Sequence, residues 1–171
     1  MLNFTDVSLL GFSGSRAPSR ASVRALRSVL ATLPVGALVV VGCASGIDAV
    51  VRAACPGARV FRAAGFGRGA LVARSVACVC AVAAASGVWV SFPDTACPSG
   101  LRLSSSASAC FAGYGSGSWA SLALALGLGV RCFVFLPPGV AVPADWPLVP
   151  VAAAGWFVSV PGAAQSSLFA K

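Results

Sequence analysis

The chain has 171 residues, 58% of them hydrophobic and 9% charged, with a net charge of +8. This apolar content excludes an intrinsically disordered body, and the length supports a core that needs no disulfide or metal staple. Histidine is absent, which excludes every mechanism built on imidazole, including Ser-His-Asp triads, Cys-His pairs and His-bound zinc.

Residues 7–12 form an apolar run ending in Gly-Phe-Ser-Gly-Ser, which reads as a buried strand and a tight loop. A helix then starts at Pro18-Ser19 and runs to about Thr32. Arg20, Arg24 and Arg27 recur at spacings of four and three and form its solvent stripe; Val23, Leu26 and Leu30 form the buried one. Residues 37–41 are a second strand, too apolar to be half exposed. The turn Gly42-Cys43-Ala44-Ser45-Gly46 leads into a helix opened by Ile47-Asp48, which runs to about Cys55 and is stopped by Pro56-Gly57. A third strand over 58–62, a glycine-rich loop over 65–69 and a third helix over 71–85 follow. The fourth strand, 88–92, is stopped by Pro93. Residues 94–112 are irregular and rich in Ser and Cys, and 113–118 are another glycine-serine turn. A helix over 119–128, capped by Gly129, and a fifth strand over 130–136, stopped by Pro137-Pro138-Gly139, complete the alternation.

Continuous apolar strands between helices predict an α/β fold. It should be Rossmann-like and doubly wound, with a mostly parallel sheet of about five or more strands and helices on both faces. Ligands then sit at the carboxyl ends of the strands. Residues 1–139 are expected to form this nucleotide- or nucleic-acid-binding domain, and 140–171 a C-terminal extension anchored by Trp146, Trp156 and Phe157.

Three uncharged stretches, 75–93, 103–130 and 146–170, raise the question of a membrane. Each is broken by Gly, Pro or Ser clusters, so no membrane span is expected. The first twelve residues carry Asp6 and no basic start, unlike a signal peptide. With seven cysteines, this predicts a reducing, cytoplasmic location. Cys97 and Cys110 bracket the Ser-rich loop and read as small buried hydrophobes, with pairing or metal binding as the alternative.

The charge points to an anionic partner. Twelve cations face four acids, and every cation except Lys171 is an arginine, which suits bidentate contact with phosphate. The three glycine-serine turns each lead into a helix, whose N-terminal amides favour anions. Gly14, Ser15 and Arg16 in the first turn, Ser45 and Gly46 in the second, and Gly115, Ser116, Gly117 and Ser118 in the third are the candidate phosphate-binding residues. Arg68, Arg74 and Tyr114 are candidate nucleic-acid contacts; stacking of Tyr114 on a base would contribute about 1–3 kcal/mol. Arg62 flanks the third loop with Arg68, and Trp119 reads as core. Asp48 either serves the dipole of its helix or binds a ligand. No turn matches a Walker loop, the first is not GxGxxG, and no acid about 20 residues on could hold a ribose. A standard NAD enzyme is therefore not expected, nor a cofactor or a metal.

Gly14-Ser15-Arg16 after the first strand, Ser45-Gly46-Ile47-Asp48-Ala49 after the second, and Ser116-Gly117-Ser118 before a helix and the stretch 133–139 together resemble DNA-processing protein A (the DprA/Smf family). That family is part of a Rossmann-like superfamily shared with the "lonely guy" or lysine-decarboxylase-like hydrolases. The resemblance covers about residues 7–139. It implies binding of single-stranded DNA, or a nucleotide, at the glycine-rich basic mouth, with a place in DNA processing or recombination and the loading of a recombinase. The family's Arg-Asn-Arg block is not intact; Ala73-Arg74-Ser75 keeps one arginine, and no winged-helix tail is evident. The alternative is a small-nucleotide sensor or an N-glycosidic hydrolase of the lonely-guy branch, which carries Gly-Gly-x-Gly-Thr-x-x-Glu at the third turn. Ser121 stands where that catalytic Glu would be, no Glu occurs in the chain, and Asp94 is the nearest replacement. A binding protein is expected rather than an enzyme, and a homodimer is among the expected states.

Gln165-Ser166-Ser167-Leu168-Phe169 resembles the peptide that binds the bacterial sliding clamp, without its first Leu. Leu168 and Phe169 would fill an apolar pocket while Gln165 bonds at the rim. The alternative is an apolar pair that docks on the body of the protein.

Overall fold

Strand residues alternate between two faces, and here both faces are apolar. Leu10, Phe12, Val39, Val41, Val88, Val90, Phe92, Phe133 and Phe135 enter one buried cluster; Val40, Trp89, Cys132 and Val134 enter the other. Such a sheet must be covered on each side. In the computed structural model, which describes residues 2 and 4–160, it is.

The elements are β1 (Leu9–Gly14), α1 (Arg20–Leu30), β2 (Leu38–Gly42), α2 (Ile47–Ala54), β3 (Arg59–Phe61), α3 (Arg68–Ala84), β4 (Val88–Phe92), α4 (Ala107–Cys110), α5 (Gly117–Gly127), β5 (Arg131–Phe135), β6 (Leu148–Pro150) and β7 (Trp156–Ser159). They build one seven-stranded sheet in the order β3-β2-β1-β4-β5-β7-β6. Strands β1 to β5 are mutually parallel, while β7 runs antiparallel to β5 and β6 antiparallel to β7. Helices α1 and α2 cover one face through Leu26, Val29, Ile47 and Val51, and α3 and α5 cover the other through Val79, Val82 and Leu122. The fold is consistent with a Rossmann-like arrangement. Its strand order reverses between β1 and β4, so a crevice opens beyond the carboxyl ends of those two strands.

Several boundaries differ from the sequence expectation. Strand β1 runs on to Gly14, because Ser13 and Gly14 continue the ladder with Ser91 and Phe92. Helix α3 begins at Arg68 rather than residue 71, which brings that arginine into its first turn. The buried residues of α1 are Ser22, Leu26 and Val29, not Val23, Leu26 and Leu30. Ser22 can turn inward because its hydroxyl donates to Asp94 at 2.7 Å. Helix α5 is buried from Trp119 to Leu126. The segment before it lies against it, and the Ser104 backbone fills the place a Cβ on Gly127 would need.

The stretch expected as an extension supplies β6 and β7, so it completes the sheet edge rather than trailing from it. Its three aromatic anchors all meet the body: Trp146 meets the Trp119 ring edge-on at 5.4 Å, Trp156 meets Phe92 at 5.5 Å, and Phe157 packs against the cluster on the Trp146 side. Phe157 is half-buried. The proposed clamp-binding residues Gln165, Leu168 and Phe169 lie outside the described residues. Among the described residues, no helix is long and apolar enough to cross a membrane.

The centre of the sheet is closely packed. A Cβ on Gly11 would run into the Trp89 ring and a Val82 methyl, both buried. Gly11→Ala should therefore lower stability in urea denaturation by about 1–3 kcal/mol, the usual cost of overpacking. Trp89→Leu should recover part of the loss in the double variant, and strictly additive effects would show that the two residues do not compete for space.

Candidate nucleic-acid interface

The first two turns are held together by backbone. Gly46 has a φ of +70°, and a Cβ there would meet the Ser15 carbonyl and the Arg16 backbone. Without one, the second turn lies directly on the first. The Ile47 amide donates to the Ser15 carbonyl at 3.1 Å, and the Ser45 hydroxyl to the Arg16 carbonyl at 3.4 Å. The first turn is also tied to β4, since the Ser15 amide donates to the Phe92 carbonyl at 3.0 Å.

The third turn closes the opposite wall. Ser116 caps α5 by accepting from the Trp119 amide at 3.5 Å. Gly117 and Ser118, the first two residues of that helix, have amides with no partner among the described residues. They supply the partial positive charge of a helix N-terminus. The three turns border one cleft of about 660 Å³. Gly14, Ser15, Arg16 and Ser45 line it from one side, and Tyr114, Gly115, Ser116, Gly117 and Ser118 from the other. Arg68 and Arg74 reach it from α3. Gly46 is not on the surface of the cleft and acts beneath it as a spacer.

Of these cations, Arg16 and Arg68 are exposed. Arg74 differs from the expectation of a free phosphate-neutralising group. Its side chain is 11% exposed and its Nη1 pairs with Asp48 Oδ2 at 2.9 Å. Gly42 permits this, for the two charged groups occupy the space its Cβ would take. Asp48 also accepts from the Ala44 amide at 3.2 Å. It thus fastens α2, α3 and the second turn together, while standing in the first turn of α2, as the dipole reading expects, and bordering the cleft.

Asp94 is likewise committed. Its carboxylate accepts from the Ser19 amide, from the Ser19 hydroxyl at 3.0 Å and from the Ser22 hydroxyl at 2.7 Å. It borders the cleft but is spent on the N-terminus of α1. Ser121 is buried and donates to the Gly117 carbonyl at 2.8 Å, a helix-internal bond without acid–base capacity. Ser121 thus supplies no replacement for the absent Glu, while Asp94 remains at the edge of the cleft with its carboxylate hydrogen-bonded to the start of α1. Trp119 is fully buried, as expected, with its indole N–H donating to Thr95 at 2.8 Å. Cys97 and Cys110 are free thiols that burial pushes above their ordinary range, so both behave as packing groups. Among the described residues, no cluster of three or more acidic or cysteine side chains could hold a metal.

Phe66 belongs to none of the candidate groups read from the sequence. It is fully exposed between Gly65 and Gly67, both at positive φ, on the loop that delivers Arg68 to the cleft. The signal was available: a phenylalanine between two glycines has no periodic neighbour to bury it. Tyr114, at the other rim, is 37% exposed, which leaves its ring accessible for stacking.

No protein-family model matches the chain, and no curated protein sequence matches it. Among solved structures, the chain is similar to DNA processing protein A from Helicobacter pylori, which binds single-stranded DNA. The match has a TM-score of 0.51 at 17% identity and covers 79% of this chain and 67% of that one. The likeness is one of fold: the protein has a DprA-like Rossmann arrangement.

Burial pushes the Asp48 carboxyl above its ordinary 3.8, because lost hydration outweighs the Arg74 guanidinium and the Ala44 amide. The folded chain then keeps this proton to higher pH than the unfolded one. The resulting stabilisation is complete below 3.8 and is lost as pH rises through the folded value. Asp48→Asn should flatten that part of the curve of Tm against pH; an unchanged slope would show that Asp48 titrates alike in both states.

Proposed function

We propose that the chain binds single-stranded DNA, with phosphates seated in the cleft where the three turns meet. The observation that carries this reading is the contact of the second turn on the first, through Gly46, opposite the open N-terminus of α5. It gathers donors from separate segments at one rim. Arg16 and Arg68 add exposed charge at that rim, and Tyr114 adds a stacking face. The likeness in fold to a single-stranded DNA binder supports the choice of ligand. A role in DNA processing or recombination accords with this reading.

The same donors suit the phosphate of a free nucleotide, and the cleft volume lies within the range of small-ligand sites. Competition separates the two: a nucleotide monophosphate that displaces DNA only at high concentration favours the strand.

Binding of a labelled oligothymidine, followed by anisotropy, should weaken with salt along a log–log slope of about −0.7 per phosphate. Arg16→Gln should weaken binding about tenfold, the worth of one charge-assisted hydrogen bond, and lower the slope by about 0.7. Arg131→Gln removes the same charge at the start of β5, the opposite end of the sheet, and should change neither. Equal losses in both variants, or no salt-sensitive binding at all, would overturn the reading.

A further inference from the structure

Most carboxylates of this chain are already engaged. Asp48 pairs with Arg74, Asp145 with Arg102, and Asp94 serves the start of α1. Five arginines have protein partners: Arg74 and Arg102 in these ion pairs, Arg52 on the Gly42 carbonyl, Arg59 over Phe61 and Arg131 over Phe133. The other six, Arg16, Arg20, Arg24, Arg27, Arg62 and Arg68, have none among the described residues. Two of the six border the cleft. Three lie on α1.

Helix α1 starts at the rim of the cleft. Its cap Ser19 is bonded to Asp94, which borders the cleft, and Arg20 follows directly. Arg20, Arg24 and Arg27 share one exposed face and span about 10 Å along the helix axis. Together with Val23, Ser28 and Ala31 they line a shallow surface groove. The first turn of α1 has no acidic residue of its own, and the Asp94 carboxylate at its start is taken up by Ser19 and Ser22 rather than by Arg20. No large exposed hydrophobic residue lies on this helix. A membrane surface or a protein partner would draw on such residues, whereas a linear polyanion needs only the charges.

We propose that α1 is a track that carries the DNA strand onward from the cleft, its three arginines meeting successive phosphates. This rests on the reading of the cleft as a single-stranded DNA site. The occupied length is then cleft plus helix, and a short oligonucleotide fills only the first part.

The test compares oligothymidines of about 5 and about 16 nucleotides, the span of single-strand site sizes, on the full chain. In the unaltered protein the longer one should show a salt slope steeper by about 2, the contribution of three phosphates. The triple variant Arg20→Gln, Arg24→Gln, Arg27→Gln should erase that difference and leave the short oligonucleotide bound within about twofold. Glutamine keeps the helix propensity of arginine, so α1 is preserved. A triple change to Gln at Arg59, Arg102 and Arg131, equal in charge, should keep the difference. If the α1 variant retains the steeper slope, or the control loses it too, the track is wrong while the cleft stands. If the short oligonucleotide shows no salt-sensitive binding to the unaltered protein, the reading of the cleft itself falls.

Discussion

One missing side chain brings the edge of the cleft together. Gly46 presses the second turn against the carbonyls of the first, and any Cβ would drive them apart. From that contact follow the Ile47 bond to Ser15 and the start of α2 beside the turn after β1. Parallel strands deliver their following turns to the same edge, but they do not make the turns touch. The close approach of backbone to backbone does so, and it leaves helix N-termini and serine hydroxyls facing a common space.

Charge is distributed by the same economy. A buried carboxylate is costly unless paired, so Asp48 and Arg74 come as a unit, and Gly42 gives them room. Removing either would leave the other uncompensated. Asp94 joins α1 to the end of β4 across the point where the strand order reverses. With these acids engaged inside the framework, the arginines that have no partner among the described residues define the outer field. That field is uneven, concentrated on the first turn, on α1 and on the segment leading into α3.

The sheet edge follows a different logic. A parallel sheet ending at β5 would leave an open ladder. The chain closes it with β7 and β6, antiparallel and short, and seats Trp156 against Phe92 and Phe135. Trp146 turns to the opposite face and covers the Trp119 ring. The segment after β5 therefore stabilises both layers, including α5, whose N-terminus forms one wall of the cleft.

Strands β1 to β5, helices α1, α2, α3 and α5 between them and the three turns were legible in the amino-acid sequence. They depend on local patterns: unbroken apolar runs, Gly and Pro stops, and arginines at helical spacing on α1. Strand β4 over 88–92 and the exposure of Arg20, Arg24 and Arg27 needed nothing more. What each polar group does was decided by tertiary contact. Asp48 and Arg74 are 26 positions apart, and Asp94 is 72 from Ser22, so no periodicity links them. The inward turn of Ser22, the strands after residue 147 and the isolation of Phe66 have the same origin. Burial makes polar groups seek partners wherever the fold brings them, and sequence spacing carries no record of that proximity.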